Sequence, residues 1–386
     1  MAGSIQDRGN GSYLMTYSMG FNAKGRRVRK TRTIKARNIT EARRMLAAFV
    51  TEIEQGEYID PSNMTFGAFA MDWYEKSAKR KLANTTVNGY KNTLDIHILP
   101  AFAHIKMEKI KPAHITDYLI SLETSRKDGK SGGLAPATIK KHHDILSSIF
   151  QFAIKNGSIK NNPVLNAEKP SQKKTETEVY TTDEVRQLFR LLDLESIQHN
   201  LMIRLAIETG MRRGEIIGLQ WDNIDFEKNK IHIYHSLSYT KENGYDLGET
   251  KNKKKRTVIA SNGMMEILAI YYKQRRKERL QAAELWEGGT YFFVFSHWDG
   301  KPLHPDSPSR WWGRFLVRNK FKEIRFHDLR HTAATILINQ GVHAKIISER
   351  LGHSNISITM DTYGHFLEEA NERAAKIHDD LFWNTN

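Results

Sequence analysis

His327-Asp328-Leu329-Arg330-His331 is followed by Leu351-Gly352-His353-Ser354 and then by Asp361-Thr362-Tyr363-Gly364-His365. Two histidines four residues apart also occur in the zinc sites of metalloproteases, but those sites need Glu in second place, where this chain has Asp, and no third ligand is obvious. The spacing instead places His327 and Arg330 on one face of a helix, where a proton donor and a guanidinium can reach the same phosphate. These segments therefore predict phosphate chemistry without a metal ion.

A further candidate for phosphate binding lies upstream, in Glu208-Thr209-Gly210-Met211-Arg212-Arg213-Gly214-Glu215. An apolar helical pattern ends at Gly210, where glycine supplies the turn, so we expect Arg212 at a corner between two helices. A guanidinium held rigidly at such a corner suits a phosphate clamp, and Glu215 can orient it from one turn away. An arginine at a helix start is common, so this segment indicates phosphate binding only in combination with the other segments.

Together these segments resemble the two signature boxes of the tyrosine recombinases, also called the phage integrase family. The resemblance implies that the hydroxyl of Tyr363 attacks a DNA phosphodiester and forms a 3′-phosphotyrosyl bond, which preserves the phosphodiester energy for rejoining without ATP. It also implies that His327 acts as an acid or base near the nucleophile and that His353 donates to a phosphate oxygen. No cofactor and no metal ion is implied. The implied catalytic residues are Arg212, Lys251, His327, Arg330, His353 and Tyr363.

The two arginines of this set would neutralise the non-bridging oxygens of the phosphate, and the lysine would protonate the leaving 5′-oxygen. The position of the lysine is open between two residues. In the family, a lysine on a hairpin that precedes an Arg-x-Val-like strand acts as the general acid. Lys251, directly after Thr250, matches best, and Lys253 is the alternative. The other interpretation is a solvated charge run in a hairpin, which accounts for part of Lys253–Lys255.

The composition favours a nucleic acid as the partner. The chain has 386 residues and a formal net charge of +15, which favours binding to a polyanion; the alternative is a generally basic protein. Hydrophobic residues make up 39%, enough for folded cores, and zero cysteines exclude disulfides, thiolate catalysis and cysteine-based metal sites. The chain has neither an uninterrupted apolar run of about 20 residues nor a signal-peptide pattern. We expect no membrane association and a cytoplasmic location, at the nucleoid of a bacterial host.

The pattern along the chain predicts a multidomain α+β fold. Residues 1–58 are predicted to be a small β-sheet-plus-helix module, whose basic strand from Arg26 to Ala36 would enter a groove of arm-site DNA. The alternative for this strand is an exposed sheet edge protected by charge. Residues 64–165 resemble a helical core-binding domain, and residues 166–179 are a polar linker. Residues 180–386 resemble a mainly helical catalytic domain with a small antiparallel sheet.

Local patterns predict individual elements within these domains. Four helices are expected in the second domain, and the second of them is expected to stop at Pro100. In the third domain, Thr181 and the carboxylates after it signal a helix start. Strands are expected at Asn229–Tyr239 and at Arg256–Ala260.

We expect a site-specific DNA recombinase that integrates a mobile element and, with an excision or directionality factor, excises it. Its partners would be double-stranded DNA at core and arm attachment sites and further copies of the chain in a homotetramer. The alternatives are a chromosome-dimer resolvase, which usually lacks the extra N-terminal module, a type IB topoisomerase, and a DNA-binding regulator with degenerate boxes. The apolar residues Leu381, Phe382 and Trp383 are expected to dock on a neighbouring protomer, with folding back onto their own domain as the alternative.

Overall fold

The computed structural model describes residues 3–21, 27–54, 64–126, 128–168, 178–250, 255–352 and 367–383. The chain divides into two compact units, Met1–Lys174 and Thr175–Asn386. The first unit contains a small sheet module and a bundle of helices, and the second combines helices with small antiparallel sheets. The predicted multidomain α+β fold is confirmed.

The N-terminal module is a three-stranded antiparallel sheet with one helix. The strands β1 (Gly3–Asp7), β2 (Ser12–Phe21) and β3 (Arg27–Lys35) pair in the order β1-β2-β3, and α1 (Ile39–Glu54) follows them. The module's core forms where buried side chains of α1 meet the sheet, as Phe49 and Ile53 do beside Met15. The strand β1 was not predicted, because its five residues include only one β-branched side chain.

Four helical segments form the bundle that follows in the first unit, around a core of aromatic and aliphatic side chains. The first segment runs through α2 (Phe66–Trp73), a π-helical turn (Tyr74–Ala78) and α3 (Lys79–Lys81). The second runs through α4 (Asn84–Thr93), a π-helical turn (Leu94–Ile98) and α5 (Leu99–Phe102). The third and fourth are α6 (Pro112–Thr124) and α7 (Pro136–Lys155).

The prediction that the second segment stops at Pro100 is wrong, because the helix continues to Phe102. A π-helical turn precedes the proline, and the amide of Leu99 donates to the carbonyl of Leu94, five residues back. Pro100 then stands in the first turn of α5, where a residue without an amide hydrogen is tolerated. The widened turn thus accommodates a proline that would break a regular helix.

The second unit combines helices with a short sheet and a separate hairpin. The sheet pairs β4 (Ile224–Asp225), β5 (Lys230–Ile233) and β8 (Arg256–Ile259), and the hairpin pairs β6 (His235–Thr240) with β7 (Gly244–Glu249). The helices are α8 (Thr182–Leu192), α9 (Ile197–Thr209), α10 (Arg213–Ile217), α11 (Asn262–Ala282), α12 (Ser307–Arg318), α13 (Asp328–Asn339), α14 (Ala344–Leu351) and α15 (Leu367–Phe382).

Two predictions about this unit can be compared with its elements. The helix start at Thr181 is confirmed, since its hydroxyl accepts from the amide of Glu184 and the Glu184 carboxylate accepts from the amide of Thr181. The stretch predicted to be strand-like from Asn229 to Tyr239 contains two strands, β5 and β6, which belong to different sheets. The partner strand β7 was not predicted, since glycine and aspartate are depleted in strands.

Candidate active site

Arg212 lies at the corner between α9 and α10. The helix α9 ends at Gly210, whose φ of +64° is in the left-handed region that favours glycine. Arg212 is the N-cap residue of α10, and its backbone amide donates to Oε2 of Glu215 at 2.9 Å. Its Nη1 donates to Oε1 of the same carboxylate, also at 2.9 Å. The carboxylate therefore holds the backbone and the guanidinium of Arg212 together.

Arg330 is buried in the first turn of α13, with 4% of its surface exposed. Its Nη1 donates to the carbonyl of Gly210 at 2.6 Å and to the carbonyl of Leu351 at 2.7 Å. Because these carbonyls belong to the ends of α9 and α14, one guanidinium fastens three helices at a single point. A planar group with five donors in a fixed fork can make several such contacts at once.

The guanidiniums of Arg212 and Arg330 meet at the C-terminal end of α14. Nη2 of Arg212 donates to the carbonyl of Gly352 at 3.3 Å, next to the Leu351 carbonyl that Arg330 holds. Gly352 closes the helix with a φ of +69°. Carbonyl oxygens at a helix C-terminus carry partial negative charge, so cations are favourable there. Both arginines thus converge directly before the predicted His353.

Arg256, whose side chain is 7% exposed, also pairs with Glu215, and sequence reasoning did not identify it as functional. It lies on β8, where it entered the sequence argument only as a marker of a strand. Its Nη2 donates to Oε2 of Glu215 at 2.7 Å, and its Nε donates to the carbonyl of Arg350 at 2.8 Å. The sequence did show that Arg256 lies between a lysine-rich segment and a strand. It gave no sign that Arg256 contacts Glu215, because the two residues come from distant segments of the chain.

Glu215 is the negative centre of the cluster, with only 1% of its side chain exposed. Burial by itself raises the pKa of this carboxyl, but the hydrogen bond and charge of Arg256 and the charge of Arg212 outweigh it. The pKa of Glu215 is therefore lowered, and the group is ionised at neutral pH. One carboxylate among three arginines leaves the cluster with net positive charge, which suits an anion.

His327 immediately precedes α13 as its N-cap residue, and its ring is open to solvent on one side. The neighbouring protein displaces enough water from the ring to lower the pKa of His327, and His331 and Arg330 lower it further, to about 4. The ring of His331 lies edge-on at 5.4 Å between centroids. The imidazole of His327 is therefore neutral at pH 7 and able to accept a proton.

The structure brings together Arg212, His327 and Arg330 of the predicted set. The other candidates, Lys251 with its alternative Lys253, His353 and Tyr363, lie outside the described residues. The described chain borders them on either side: β7 ends at Glu249 before the lysines, and α14 ends before His353. Their placement in the site remains a prediction.

Two absences can be stated for the part of the chain that is described. Within those ranges, no group of three or more histidine, aspartate and glutamate side chains is arranged to hold a metal ion. Over the same residues, no helix is both long enough and apolar enough to cross a membrane.

Comparisons with known proteins identify relatives over most of the chain. Residues 178–370, half of the chain, match the model of the phage integrase family, and residues 65–122 match the phage integrase N-terminal SAM-like domain. A XerC-like tyrosine recombinase of Caldanaerobacter subterraneus is 27% identical, with 96% of each chain covered. The ICEBs1 integrase of Bacillus subtilis is 25% identical, with 98% of this chain and 100% of that protein covered.

Solved structures show the same fold. The Tn1549 transposon integrase in complex with a circular intermediate DNA superposes with a TM-score of 0.65 at 20% identity, covering 78% of this chain and 95% of that one. A lambda integrase dimer bound to a core site superposes with a TM-score of 0.58 at 19% identity, covering 93% of this chain and 95% of that one. The fold, the convergent arginines and the family match lead to one conclusion: the chain belongs to the phage integrase family, the tyrosine recombinases.

Proposed function

We propose that the six residues predicted from the sequence form one active site for DNA cleavage and rejoining. The chain is a site-specific DNA recombinase of the tyrosine type, and its reaction is a pair of transesterifications. In the first, the Tyr363 oxygen forms a bond to phosphorus, the bond from phosphorus to the 5′-oxygen breaks, and the nucleophile's proton passes to a base. In the second, a 5′-hydroxyl attacks the phosphotyrosine and releases Tyr363. The residues are Arg212, Lys251, His327, Arg330, His353 and Tyr363.

One observation supports this proposal above the others. Arg212 and Arg330 come from segments far apart in the chain, yet their guanidiniums end on adjacent carbonyls, those of Gly352 and Leu351. Two guanidiniums at one point, over a single buried carboxylate, make a site for a phosphate that bears one negative charge. Negative charge that grows on the phosphoryl oxygens during the reaction is stabilised there without rearrangement of the protein.

The protonation state of His327 fits a role as a proton acceptor. Since its pKa is lowered to about 4, the neutral ring is available at pH 7 to take a proton from the attacking hydroxyl. A bound phosphate brings negative charge close to the ring and so opposes the lowering by Arg330 and Arg212. His327 can then return the proton in the rejoining step. Lys251, in the segment between β7 and β8, would supply the proton to the 5′-oxygen.

The substrate is DNA at the attachment sites of a mobile element. The matched relatives include an ICEBs1 integrase along its full length and a transposase from transposon Tn916 in Enterococcus faecalis, at 23% identity. The match to the ICEBs1 integrase spans 98% of this chain and therefore reaches into the N-terminal module, which chromosome-dimer resolvases usually lack. Because this DNA is in the host cell, we place the protein in the bacterial cytoplasm at the nucleoid.

The N-terminal sheet supports the proposal of a second DNA-binding surface, for arm sites. On β3, exposed Arg29 and Lys35 alternate with residues that face α1, such as Arg32, which pairs with Glu52 at 2.9 Å. Opposite the exposed β3 positions from Arg29 to Lys35, three of the four β2 residues carry hydroxyls, as Ser18 does opposite Arg29, and the fourth is Leu14. A face of cations and hydroxyls suits phosphates and base edges in a groove.

We further propose a homotetramer on DNA, because one site cuts one strand and exchange between two duplexes needs four cuts. A lambda integrase tetramer bound to a Holliday junction is among the structures with this fold. The exposed fractions of Ile377, Leu381, Phe382 and Trp383 range from 57% to 79%, so this apolar end of α15 is available to a neighbouring protomer. Truncation after Ala375 should leave DNA binding intact and remove synaptic complexes in a gel-shift experiment; normal synapses would contradict this docking. Excision would need a separate directionality factor.

The test of the chemistry is a covalent adduct on a suicide half-site, which loses the short strand after cleavage and cannot be resealed. The full-length protein should form an adduct that survives denaturing electrophoresis. Tyr363→Phe keeps the ring but removes the hydroxyl, so it should bind the half-site with unchanged affinity and form no adduct. An adduct at the wild-type level in this variant would assign the nucleophile elsewhere.

A further inference from the structure

Arg256 makes hydrogen bonds to two parts of the arginine cluster, which consists of Arg212, Arg330 and Glu215 with the C-terminal end of α14. With 7% of its side chain exposed, it donates through Nη2 to Glu215 at 2.7 Å and through Nε to the carbonyl of Arg350 at 2.8 Å. Among the described residues, its Nη1 is buried without a hydrogen-bond partner. A Cβ added to Gly352 would lie 2.9 Å from that nitrogen. Arg256 thus touches both the orienting carboxylate and the helix end that precedes His353.

The carboxylate of Glu215 is shared between two guanidiniums, one oxygen for each. Its Oε1 accepts from Arg212 and its Oε2 accepts from Arg256. Without Arg256, Oε2 would keep only the backbone amide of Arg212 as a partner, so the carboxylate and the Arg212 guanidinium bound to it would be held less firmly. Arg256 therefore restricts the direction in which the remaining nitrogens of Arg212 point. A bidentate contact depends on such direction more than on charge.

Three successive carbonyls at the end of α14 each accept from a different arginine. Arg256 holds the carbonyl of Arg350, and the next two carbonyls in the chain are held by Arg330 and Arg212. The end of α14 and the three arginines therefore form one hydrogen-bonded unit. In the sequence, β8 with Arg256 directly follows the lysine-rich segment that contains the predicted general acid.

We propose that Arg256 is a positioning residue for DNA cleavage. Arg256 holds the Glu215 carboxylate in place relative to the end of α14, which directly precedes His353 in the sequence. Through Glu215 it also holds the guanidinium of Arg212 in place. In this role Arg256 acts through Glu215 and not through a contact of its own with the scissile phosphate. This inference rests on the proposed function, in which Arg212 binds that phosphate. It predicts that the contribution of Arg256 to cleavage passes through Arg212.

A double-mutant cycle distinguishes this role from general support of the fold. The first-order rate of adduct formation is measured for the full-length protein, for Arg256→Met, for Arg212→Lys and for the double variant. A half-site with a 5′-bridging phosphorothioate keeps slow variants measurable, because its leaving group needs no protonation. Residues in one hydrogen-bond network couple, whereas independent sites contribute additively. DNA affinity is measured in parallel.

We expect Arg256→Met to lower the cleavage rate by about tenfold or more in the wild-type background and by less than about threefold in the Arg212→Lys background, as coupled residues do. DNA affinity should change little. Arg256→Lys keeps a cation for Glu215 but cannot also reach the Arg350 carbonyl, so it should recover part of the rate. Should Arg256→Met fail to fold, the same cycle is carried out with Arg256→Lys.

The matched control is Arg275→Met. Arg275 is also buried, but it lies on α11, where it pairs with Glu278 and donates to Ser296 and to the carbonyl of His297. Arg275→Met should lower the rate of adduct formation by the same factor in the wild-type background and in the Arg212→Lys background. An equal loss for Arg256→Met in both backgrounds would overturn the inference while leaving the proposed function in place. The absence of any Tyr363-dependent adduct in the wild type would instead overturn the proposed function.

Discussion

Arg212 and Arg330 donate hydrogen bonds to two adjacent backbone carbonyls, but the two contacts differ in strength. The bond from Arg330 to Leu351 is 2.7 Å long and lies in the core, whereas the bond from Arg212 to Gly352 is 3.3 Å long and the side chain of Arg212 is 21% exposed. In the proposed site, a phosphate would displace the Gly352 carbonyl from Arg212 more easily than the Leu351 carbonyl from Arg330.

This difference predicts unequal effects of the same substitution at the two arginines. Arg330→Lys loses buried hydrogen bonds to Gly210 and Leu351 that one ammonium cannot replace, so the free energy of unfolding should fall by about 2 to 4 kcal/mol. Arg212→Lys should cost less stability. Both should slow strand cleavage by about a hundredfold or more, because a point charge replaces a fork. Chemical unfolding and adduct formation measure the two quantities. Equal losses of stability in the two variants would contradict the conclusion that Arg330 contributes more to the fold than Arg212 does.

The general acid can be identified by changing the leaving group. A 5′-bridging phosphorothioate leaves without a proton, so it should restore cleavage to Lys251→Ala, which lacks the donor. Lys253→Ala is the matched control and should cleave the ordinary half-site at close to the wild-type rate. Rescue of Lys253→Ala, with none for Lys251→Ala, would move the general acid to Lys253. Rescue of neither variant would exclude both lysines.

Gly352→Ala should impair cleavage beyond its effect on stability. The residue has a φ of +69°, which costs an alanine about 1 to 2 kcal/mol, and the new Cβ would lie 2.9 Å from Nη1 of Arg256. Gly341→Ala is the matched control, since Gly341 has a φ of +76° and nothing within 4 Å of the added Cβ. Both variants should lose stability in thermal unfolding, Gly352→Ala more because of its close contact with Arg256, but only Gly352→Ala should slow adduct formation. Equal cleavage rates for the two variants would mean that the contact with Arg256 is unimportant.

The helical bundle of the first unit should lose stability in mild acid. His142 is buried on α7 with its Nδ1 2.8 Å from the hydroxyl of Tyr118, and burial, followed by the charges of His97 and Lys141, lowers its pKa to about 4. An unfolded histidine has a pKa near 6.5. Between these values, the unfolded chain binds a proton that the folded bundle does not, so the free energy of unfolding falls as the pH falls from about 6.5 to 4.

Hydrogen exchange of α6 and α7, with α9 of the second unit as internal reference, measures this effect in the full chain. His142→Gln removes the titrating group and should flatten the pH dependence in the bundle. The control is His104→Gln, at an exposed position of the same bundle, which should keep the wild-type slope. An unchanged slope in His142→Gln would assign the acid sensitivity to other groups.

The N-terminal module should hold a separate DNA site. Deleting residues 1–58 should leave cleavage of core half-sites intact but impair integration into substrates with flanking arm sites. Within the module, Arg29→Ala with Lys35→Ala should lower the salt slope of arm-site binding by about 0.9 for each phosphate that is no longer neutralised. Arg32→Ala should change the slope little, because that guanidinium faces Glu52. A truncated protein with full integration activity would contradict the role of the module.

Several features of this protein were predictable because the signal is local. The glycine at position 210 ends a helix since an apolar pattern stops there, and Thr181 with Glu184 begins one through contacts within a single turn. The spacing from His327 to Arg330 placed both on one turn for the same reason. Pro100 was misread, because a π-helical turn, which depends on packing in the bundle, decides whether a proline ends a helix.

The sequence by itself therefore determined the family, the multidomain architecture and the identity of the candidate catalytic residues, since each depends on residue types at short spacing. Only the tertiary structure decided which side chains share a carboxylate and which carbonyls the arginines hold. Arg256 and Glu215 lie on different elements, and no periodicity within either segment indicates that they pair. Burial supplies the physical reason: three guanidiniums and one carboxylate can be withdrawn from water only when each finds its partner, and those partners come from segments that meet only in the folded chain.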